Sequence, residues 1–307
     1  MPEIPVESWG RLTRDAHDWQ ALTQSDAQQV AAAIGASQPG IAYGAGRSYG
    51  DVALNPGGTL WATRGLDRFI DFDAQNGVLT CEAGVLLRDV QRTAIARGWM
   101  LPVSPGTQMV TVGGAIANDV HGKSHHSAGS FGQHVRSLRL ARTDGQVMDA
   151  APQGERADWF AATVGGLGLT GVITQASLQL EPIACPWFDV DVQPFASLAE
   201  FMALNAETAA QGWAHTVSWI DCLRHRDGST RGIFMRGNLA QQAPDRRAPR
   251  KYGWNMPFMP PFEIRRLEIH EKRRDGVSAE RNPRRRDRTL VQLPYLSVES
   301  KQSLVIS

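Results

Sequence analysis

Pro102-Val-Ser-Pro-Gly-Thr-Gln-Met-Val-Thr-Val-Gly-Gly-Ala-Ile-Ala-Asn-Asp-Val-His-Gly-Lys-Ser-His-His-Ser-Ala-Gly-Ser-Phe-Gly-Gln-His134 is the stretch on which the reading of this chain turns. Its glycines let a backbone approach a ligand closely and adopt positive φ. Thr107, Thr111 and Ser124 add hydroxyls, and His121, His125, His126 and His134 add groups that titrate near neutrality. A surface loop has no need of this combination. It fits a backbone that cradles a large phosphorylated cofactor whose redox ring lies beside a substrate.

Around this stretch the chain is ordinary in bulk. Its 307 residues suffice for one large or two medium domains, each with its own core. A hydrophobic content of 42% and a charged content of 21% are those of a soluble globular protein. A net charge of +1 argues against a dedicated nucleic-acid binder. No run of about 18 apolar residues predicts a transmembrane helix, and Met1 to Trp9 lacks the features of a signal peptide, so cytoplasmic location is the expectation. Cys81, Cys185 and Cys222 form no Cys-x-x-Cys pair and read as reduced thiols buried as small hydrophobes.

Periodicity predicts α+β layers in place of a doubly wound parallel sheet. Ser25 to Ile34 reads as a helix, with Ser25 and Gln28 spaced as a capping box and Gly35 at its end. Ile41–Tyr43 and Gly77–Ala83 read as strands, and Leu86 to Arg97 as a helix stopped by Gly98. Val135 to Thr143 reads as a strand turned by Asp144-Gly145 into Gln146–Met148, and Val172 to Leu180 as a half-buried strand. Pro182 to Pro186 is the expected boundary to a second sheet-based domain. There Phe188–Val192, Val217–Cys222 and Gly232–Arg236 read as strands and Ser197–Gln211 as a helix.

Gly166-x-Gly168-x-x-Gly171 meets the bare dinucleotide fingerprint, but that motif works only where its last glycine opens a helix facing a pyrophosphate. The residues after Gly171 alternate like a strand, so the Rossmann reading fails. Gly44-Ala45-Gly46-Arg47-Ser48-Tyr49-Gly50 runs into the turn Asn55-Pro-Gly-Gly58 without a helix. Two readings stay open for it: a tight turn between strands, or a nest of backbone N–H groups that holds phosphate, with Arg47 and Ser48 as further donors. His121-x-x-x-His125-His126 invites a zinc site, but Gly113-Gly114 and Gly122 are expected to spoil a helix there, and no glutamate lies between the pair. No metal is expected. His126, His215, His225 and His270 read as surface or satisfied core residues.

The three glycine-bearing segments together resemble the FAD-binding half of the vanillyl-alcohol-oxidase or p-cresol-methylhydroxylase-type superfamily. The run Asp119-Val-His-Gly-Lys-Ser-His-His126, with Asp221 in Ser218-Trp-Ile-Asp-Cys222, is similar to that of the decaprenylphosphoryl-β-D-ribose 2′-oxidase family. The resemblance runs from about Gly40 to about Gly237. It implies a two-subdomain FAD-binding domain over 1–183, followed by a partial antiparallel-sheet substrate domain over 184–262. By resemblance, Gly44 to Gly50, Pro105, Gly106, Thr107, Thr111, Gly113, Gly114, Ala117, Asn118, His121, Gly168, Gly171 and Ile173 contact FAD. The first loop holds Tyr49 and no histidine, so the FAD is expected to be noncovalent.

The implied chemistry is oxidation of the ribose 2′-hydroxyl of a polyprenyl-phosphoryl sugar, an arabinan precursor of the cell wall, by hydride transfer to flavin N5. His121 is then the catalytic base or its orienter, and Lys123 a point charge on a substrate phosphate or else a solvated loop lysine. Tyr49 and Trp219 are substrate contacts by resemblance, and Trp219 reads equally as core. A short-chain reductase would act as epimerase partner, and the lipid tail would bring the protein to the inner membrane surface. An aldonolactone or alditol oxidase of the same superfamily is the competing enzyme, and a catalytically silent flavin-binding module the competing non-enzyme.

After about Phe262 the resemblance fades. Arg265, Arg266, Arg273, Arg274, Arg281, Arg284, Arg285, Arg286 and Arg288 crowd the segment 263–307. One reading is a basic tail for anionic lipid or nucleic acid. The favoured one is a truncated or frame-shifted end that leaves the substrate sheet short of edge cover.

Overall fold

Ala176, Leu178 and Leu180 are buried while Gln175, Ser177 and Gln179 between them are part-exposed, so this alternating segment builds a strand at the middle of a sheet. The computed structural model describes residues 3–37, 39–221, 230–243 and 287–292. They fall into two units, Met1–Pro182 and Ile183–Ser307, and both mix helices with sheets.

In the first unit the order is β1 Glu3–Glu7, β2 Arg14–Ala21, α1 Ala27–Gly35, β3 Gly40–Tyr43, β4 Thr59–Ala62, β5 Phe69–Asp73, β6 Val78–Glu82 and α2 Leu87–Ile95. Next come β7 Trp99–Met100, α3 Val112–Ala117, α4 His125–Ala128, β8 Val135–Ala141, β9 Val147–Ala150, α5 Ala157–Thr163, β10 Val172–Gln179 and β11 Glu181–Pro182. One sheet has the order β1-β2-β4-β3, with β4 parallel to both β2 and β3; a second, β5-β6-β10-β8-β9, is antiparallel throughout, and β7 and β11 form a small antiparallel pair.

Two cores hold these layers. Leu79, Cys81, Leu138, Leu140, Ala176 and Leu178 of the antiparallel sheet meet Leu87, Val90 and Ala94 of α2 and Val112, Ala115 and Ile116 of α3. Val30, Ala31 and Ile34 of α1 pack with Trp61 of β4, Ala141 and Val172, so α1 ties the two sheets together. Burial holds the Cys81 thiol protonated, its pKa pushed up to about 12.

Two local expectations are corrected here. The cap of α1 is Asp26, whose carboxylate accepts from the N–H of Gln28 at 2.9 Å, and Ser25 stands outside the helix. Gly35 closes the helix for a different reason from termination: a Cβ there would stand 2.8 Å from the carbonyl oxygen of Thr143, in the β8–β9 turn.

The second unit continues with β12 Trp187–Phe195, α6 Leu198–Ala210, β13 His215–Ile220, β14 Gly232–Leu239 and β15 Asp287–Gln292, in the antiparallel order β13-β14-β12-β15. Ser197 caps α6 by accepting from the N–H of Glu200 at 3.1 Å, and the Glu200 carboxylate reaches back to the N–H of Ala196 at 2.6 Å. Beneath α6, the fully buried Arg236 donates to Asp191 at 3.0 Å, to Thr208 at 2.9 Å and to Glu207 at 3.3 Å. Cys222, His225, His270 and the arginines from Arg265 to Arg286 lie outside the described residues, and Arg288 enters only as backbone of β15.

Candidate cofactor and substrate site

Three glycine-bearing segments, distant in sequence, converge in the first unit. Gly44 leaves β3 so close to Thr111 that a Cβ would collide with the threonine hydroxyl. Ser48 faces Asn118 across the same gap, with their side-chain oxygens 3.5 Å apart. The N–H groups of Gly165 and Leu167 donate to the carbonyls of Ile116 and Ala117 at 3.0 and 2.8 Å, and Gly168 lies against Ile41 and Ala42. The loop after β3, the helix α3 and the turn before β10 therefore form one wall.

The loop Gly44 to Gly50 uses its glycines for left-handed turns, with φ of +61° at Gly46 and +64° at Gly50. Among the described residues, the backbone N–H groups of 45–49 donate to no protein acceptor. The Arg47 guanidinium turns back onto the carbonyl of Ala45 at 2.9 Å and lies exposed. Tyr49 is 71% exposed and sits edge-on to Trp9. A Cβ at Gly50 or at Gly106 would meet no atom within 4 Å, so both glycines open onto free space.

Gly113-Gly114 does not prevent a helix, contrary to the expectation. Thr111 caps α3 with its side chain on the N–H of Gly114 at 3.0 Å, and Gly113 presses on Ala83 of the sheet behind, where a larger residue would not fit. The N–H groups of Val112 and Gly113 are also taken, by Val85 and Ala83. Val112, Gly113 and Gly114 thus spend these donors inside the protein, whereas Ala45 to Tyr49 keep theirs. The Thr107 hydroxyl accepts from the N–H of Met109, Pro105 is half-buried, Asn118 is exposed, and Ile173 is buried in β10. Gly171, at φ +142°, lies on the carbonyl of Ala141.

After α3 the chain turns at Asp119, whose φ is +41° and whose carboxylate accepts from the N–H of Gly132 at 2.8 Å. His121 then bridges to Ser130, Gly122 presses on the carbonyl of Ser104, and the buried Ser124 hydroxyl donates to Pro102 at 3.0 Å. These contacts fix the backbone of 119–124 while leaving the His121 imidazole exposed, 5.6 Å from the His125 ring. Lys123 is half-buried, and that burial draws its ammonium below the ordinary lysine range. His134 and His125 bind backbone carbonyls, of Ala128 and Gly122 respectively. Among the described residues no three His, Cys, Asp or Glu are grouped to hold a metal ion.

Trp219 belongs to the second unit. It lies half-buried on β13, opposite Ile233, on the sheet face away from α6. Asp221 is buried and paired with Arg231 at 3.0 Å. The contact of Trp9 with Tyr49 had no sequence signal, because the β1–β2 hairpin that delivers Trp9 has no clear alternation to announce it.

Residues 21–151 match the FAD binding domain family. Over 238 residues the chain is 38% identical to the decaprenylphosphoryl-β-D-ribose oxidase of Mycolicibacterium smegmatis, a match covering 76% of this chain and 51% of that protein. It is 29% identical over 243 residues to an alditol oxidase of a Streptomyces species, covering 78% and 55%. It is 32% identical over 142 residues to an L-gulono-1,4-lactone dehydrogenase of Mycobacterium tuberculosis, covering 46% and 32%. The chain spans about half the length of the first two of these relatives.

Proposed function

We propose that this chain is an FAD-dependent oxidoreductase of the kind that carries this FAD binding domain, and that it oxidises a secondary alcohol of a sugar, the 2′-hydroxyl of a polyprenyl-phosphoryl ribose. The reading assigns FAD binding to residues 1–183 and part of the substrate pocket to 184–262. The observation that carries it is the wall formed by the loop 44–50, α3 and the turn 165–171, from which the pinned loop of His121 and Lys123 continues.

The residues present fit FAD. The N–H groups of 45–49 offer an uncommitted row of donors suited to a pyrophosphate. Gly50 and Gly106 leave open space where any side chain would intrude. When bound, FAD supplies the hydride acceptor. The loop 44–50 carries Tyr49 and no histidine, which supports a noncovalent cofactor.

His121 is exposed on a fixed backbone, and in this reading its imidazole nitrogen accepts the hydroxyl proton or orients the group that does. Lys123 supplies an ammonium to a phosphate oxygen of the substrate, and Tyr49 contacts the sugar. The keto sugar formed calls for a short-chain reductase to complete epimerisation.

The experiment is dye-linked oxidation of a short-chain prenyl-phosphoryl ribose by the FAD-loaded protein, with an alditol and an aldonolactone as competing substrates. Turnover of the ribose compound alone is expected. Turnover of an alditol without the ribose compound overturns the substrate class in favour of the alditol-oxidase reading, which the second relative makes the specific rival.

A further inference from the structure

We propose that the tip of the first hairpin docks on the surface of an anionic phospholipid bilayer. The reversal between β1 and β2 is a rigid turn. Ser8 donates its N–H to Thr13, and its hydroxyl accepts from the N–H groups of Leu12 and Thr13 at 3.1 and 3.3 Å. Arg11 holds a left-handed φ of +56° at the apex. This frame leaves Leu12 84% exposed, the most exposed large apolar side chain among the described residues.

The neighbours of Leu12 make a patch of it. Trp9, 38% exposed, stacks edge-on against Tyr49, and Val52 lies three residues further along that loop and is also exposed. Single exposed hydrophobes need no explanation, but a Trp9–Tyr49 contact that joins two loops, with Leu12 and Val52 exposed three residues further along each, does. Trp and Tyr suit a membrane–water boundary, with an apolar ring and a polar tip.

The charge of the patch selects the surface. Arg11, Arg14 and Arg47 are exposed around it, and among the described residues Arg11 and Arg47 have no carboxylate partner. The acidic groups nearby are Glu7, drawn to Arg14 at 3.9 Å, the half-buried Asp15 and Asp51. Cations ringing an apolar tip fit a sheet of lipid phosphates, into which long arginine side chains can reach while Leu12 and Trp9 enter the boundary. Among the described residues no helix is long and apolar enough to cross a membrane, and the proposed contact is one with the bilayer surface. Its use for catalysis rests on the proposed lipid-linked substrate: Tyr49, that reading's sugar contact, stands beside Trp9, so a substrate held in the bilayer would reach the site through this patch.

The test is co-sedimentation of the FAD-loaded chain with phosphatidylcholine vesicles with and without phosphatidylglycerol. Expected are binding to the anionic vesicles, weakening as salt rises, and little binding to the neutral ones. Leu12→Ser alters a side chain that is 84% exposed and should lower partition about tenfold, as loss of a buried leucine implies, with the flavin spectrum and thermal midpoint unchanged. Arg11→Ser should weaken the anionic preference. A chain that ignores anionic vesicles, or whose Leu12→Ser form binds undiminished, overturns the proposal. No turnover is needed for this readout, so hairpin-dependent binding without ribose oxidation would sink the proposed function and leave the docking surface standing. Oxidation of a soluble substrate without vesicle binding would do the reverse.

Discussion

Asp119 accepts a hydrogen bond from the N–H of Gly132 at 2.8 Å while its own backbone sits at φ +41°. Both halves of that statement restrict the residue. Asp and Asn tolerate the left-handed region better than other L-residues, and an amide oxygen can replace the carboxylate as acceptor. Asp119→Asn is therefore expected to stay within about 1 kcal/mol of the parent in urea unfolding. Asp119→Val loses the acceptor and puts a β-branched side chain at positive φ, costing about 2–4 kcal/mol. Equal stability of the two variants would refute this account.

Gly122 and Gly106 are glycines for opposite reasons. A methyl group on Gly122 collides with the carbonyl of Ser104, a backbone atom that cannot swing away, whereas one on Gly106 meets nothing. Gly122→Ala should cost about 1–3 kcal/mol in the unfolding of the first unit. Gly106→Ala should leave apo stability within about 0.5 kcal/mol, since nothing is strained, yet weaken FAD binding by fluorescence titration. Undiminished FAD affinity in Gly106→Ala would remove that glycine from the cofactor site.

Much of the first unit is legible in the sequence, for identifiable reasons. Val172 to Leu180 and Leu86 to Arg97 carry periodic apolar faces, and each forms the expected strand or helix within a few residues. The Gly166–Gly171 fingerprint separates from a Rossmann turn because a strand comes after it, and β10 begins at Val172. Sequence reading fails where tertiary contact overrides local preference. Val112 to Ala117 is helical despite two glycines, because the Thr111 cap and the close approach to Ala83 favour small residues there. β4 and β5 carry no readable signal: Thr59–Ala62 is buried throughout and so does not alternate, while Phe69 and Ile70 are both exposed. At the candidate site the residue types are visible in the sequence, but which backbone donors are already spent is not. That distinction depends on Val85 and Ala83 lying behind α3.

His121 provides the activity test. Its imidazole is exposed, so His121→Ala should fold and bind FAD as the parent does. A general base is worth about 10²–10⁴-fold, and a loss of kcat in that range with KM little changed is expected in the dye-linked assay. A variant with parental kcat would relegate His121 to a bystander.

The second unit depends on one buried cation. Arg236 is fully buried and meets Asp191, Thr208 and Glu207, with the Trp213 ring 5.0 Å away. Removing one partner of a buried ion pair strands the other charge and costs about 3–5 kcal/mol. Arg236→Ala should therefore open β12, β13, β14 and α6 to limited proteolysis while the first unit keeps its FAD. Paired replacement, Arg236→Met with Asp191→Leu, should recover much of that loss, because no charge is left alone. Failure of the pair to improve on the single variant would show that shape, and not stranded charge, governs the site.

Glu181 makes the stability of the first unit pH-dependent. It sits in β11 against β7, and burial pushes its carboxyl up from an ordinary value of 4.5 to about 7. The folded state thus holds a proton that the unfolded state releases between those values. Stability from this group is full below about pH 4.5, falls as pH rises, and is lost above about pH 7. Because the side chain keeps part of its hydration, the penalty at high pH is on the order of 1–2 kcal/mol after screening. Glu181→Gln mimics the protonated form at every pH. It should raise the urea midpoint at pH 8 and leave it almost unchanged at pH 4.5. A gain of equal size at both pH values would mean that the amide adds a contact of its own and that the carboxyl is not strained by burial.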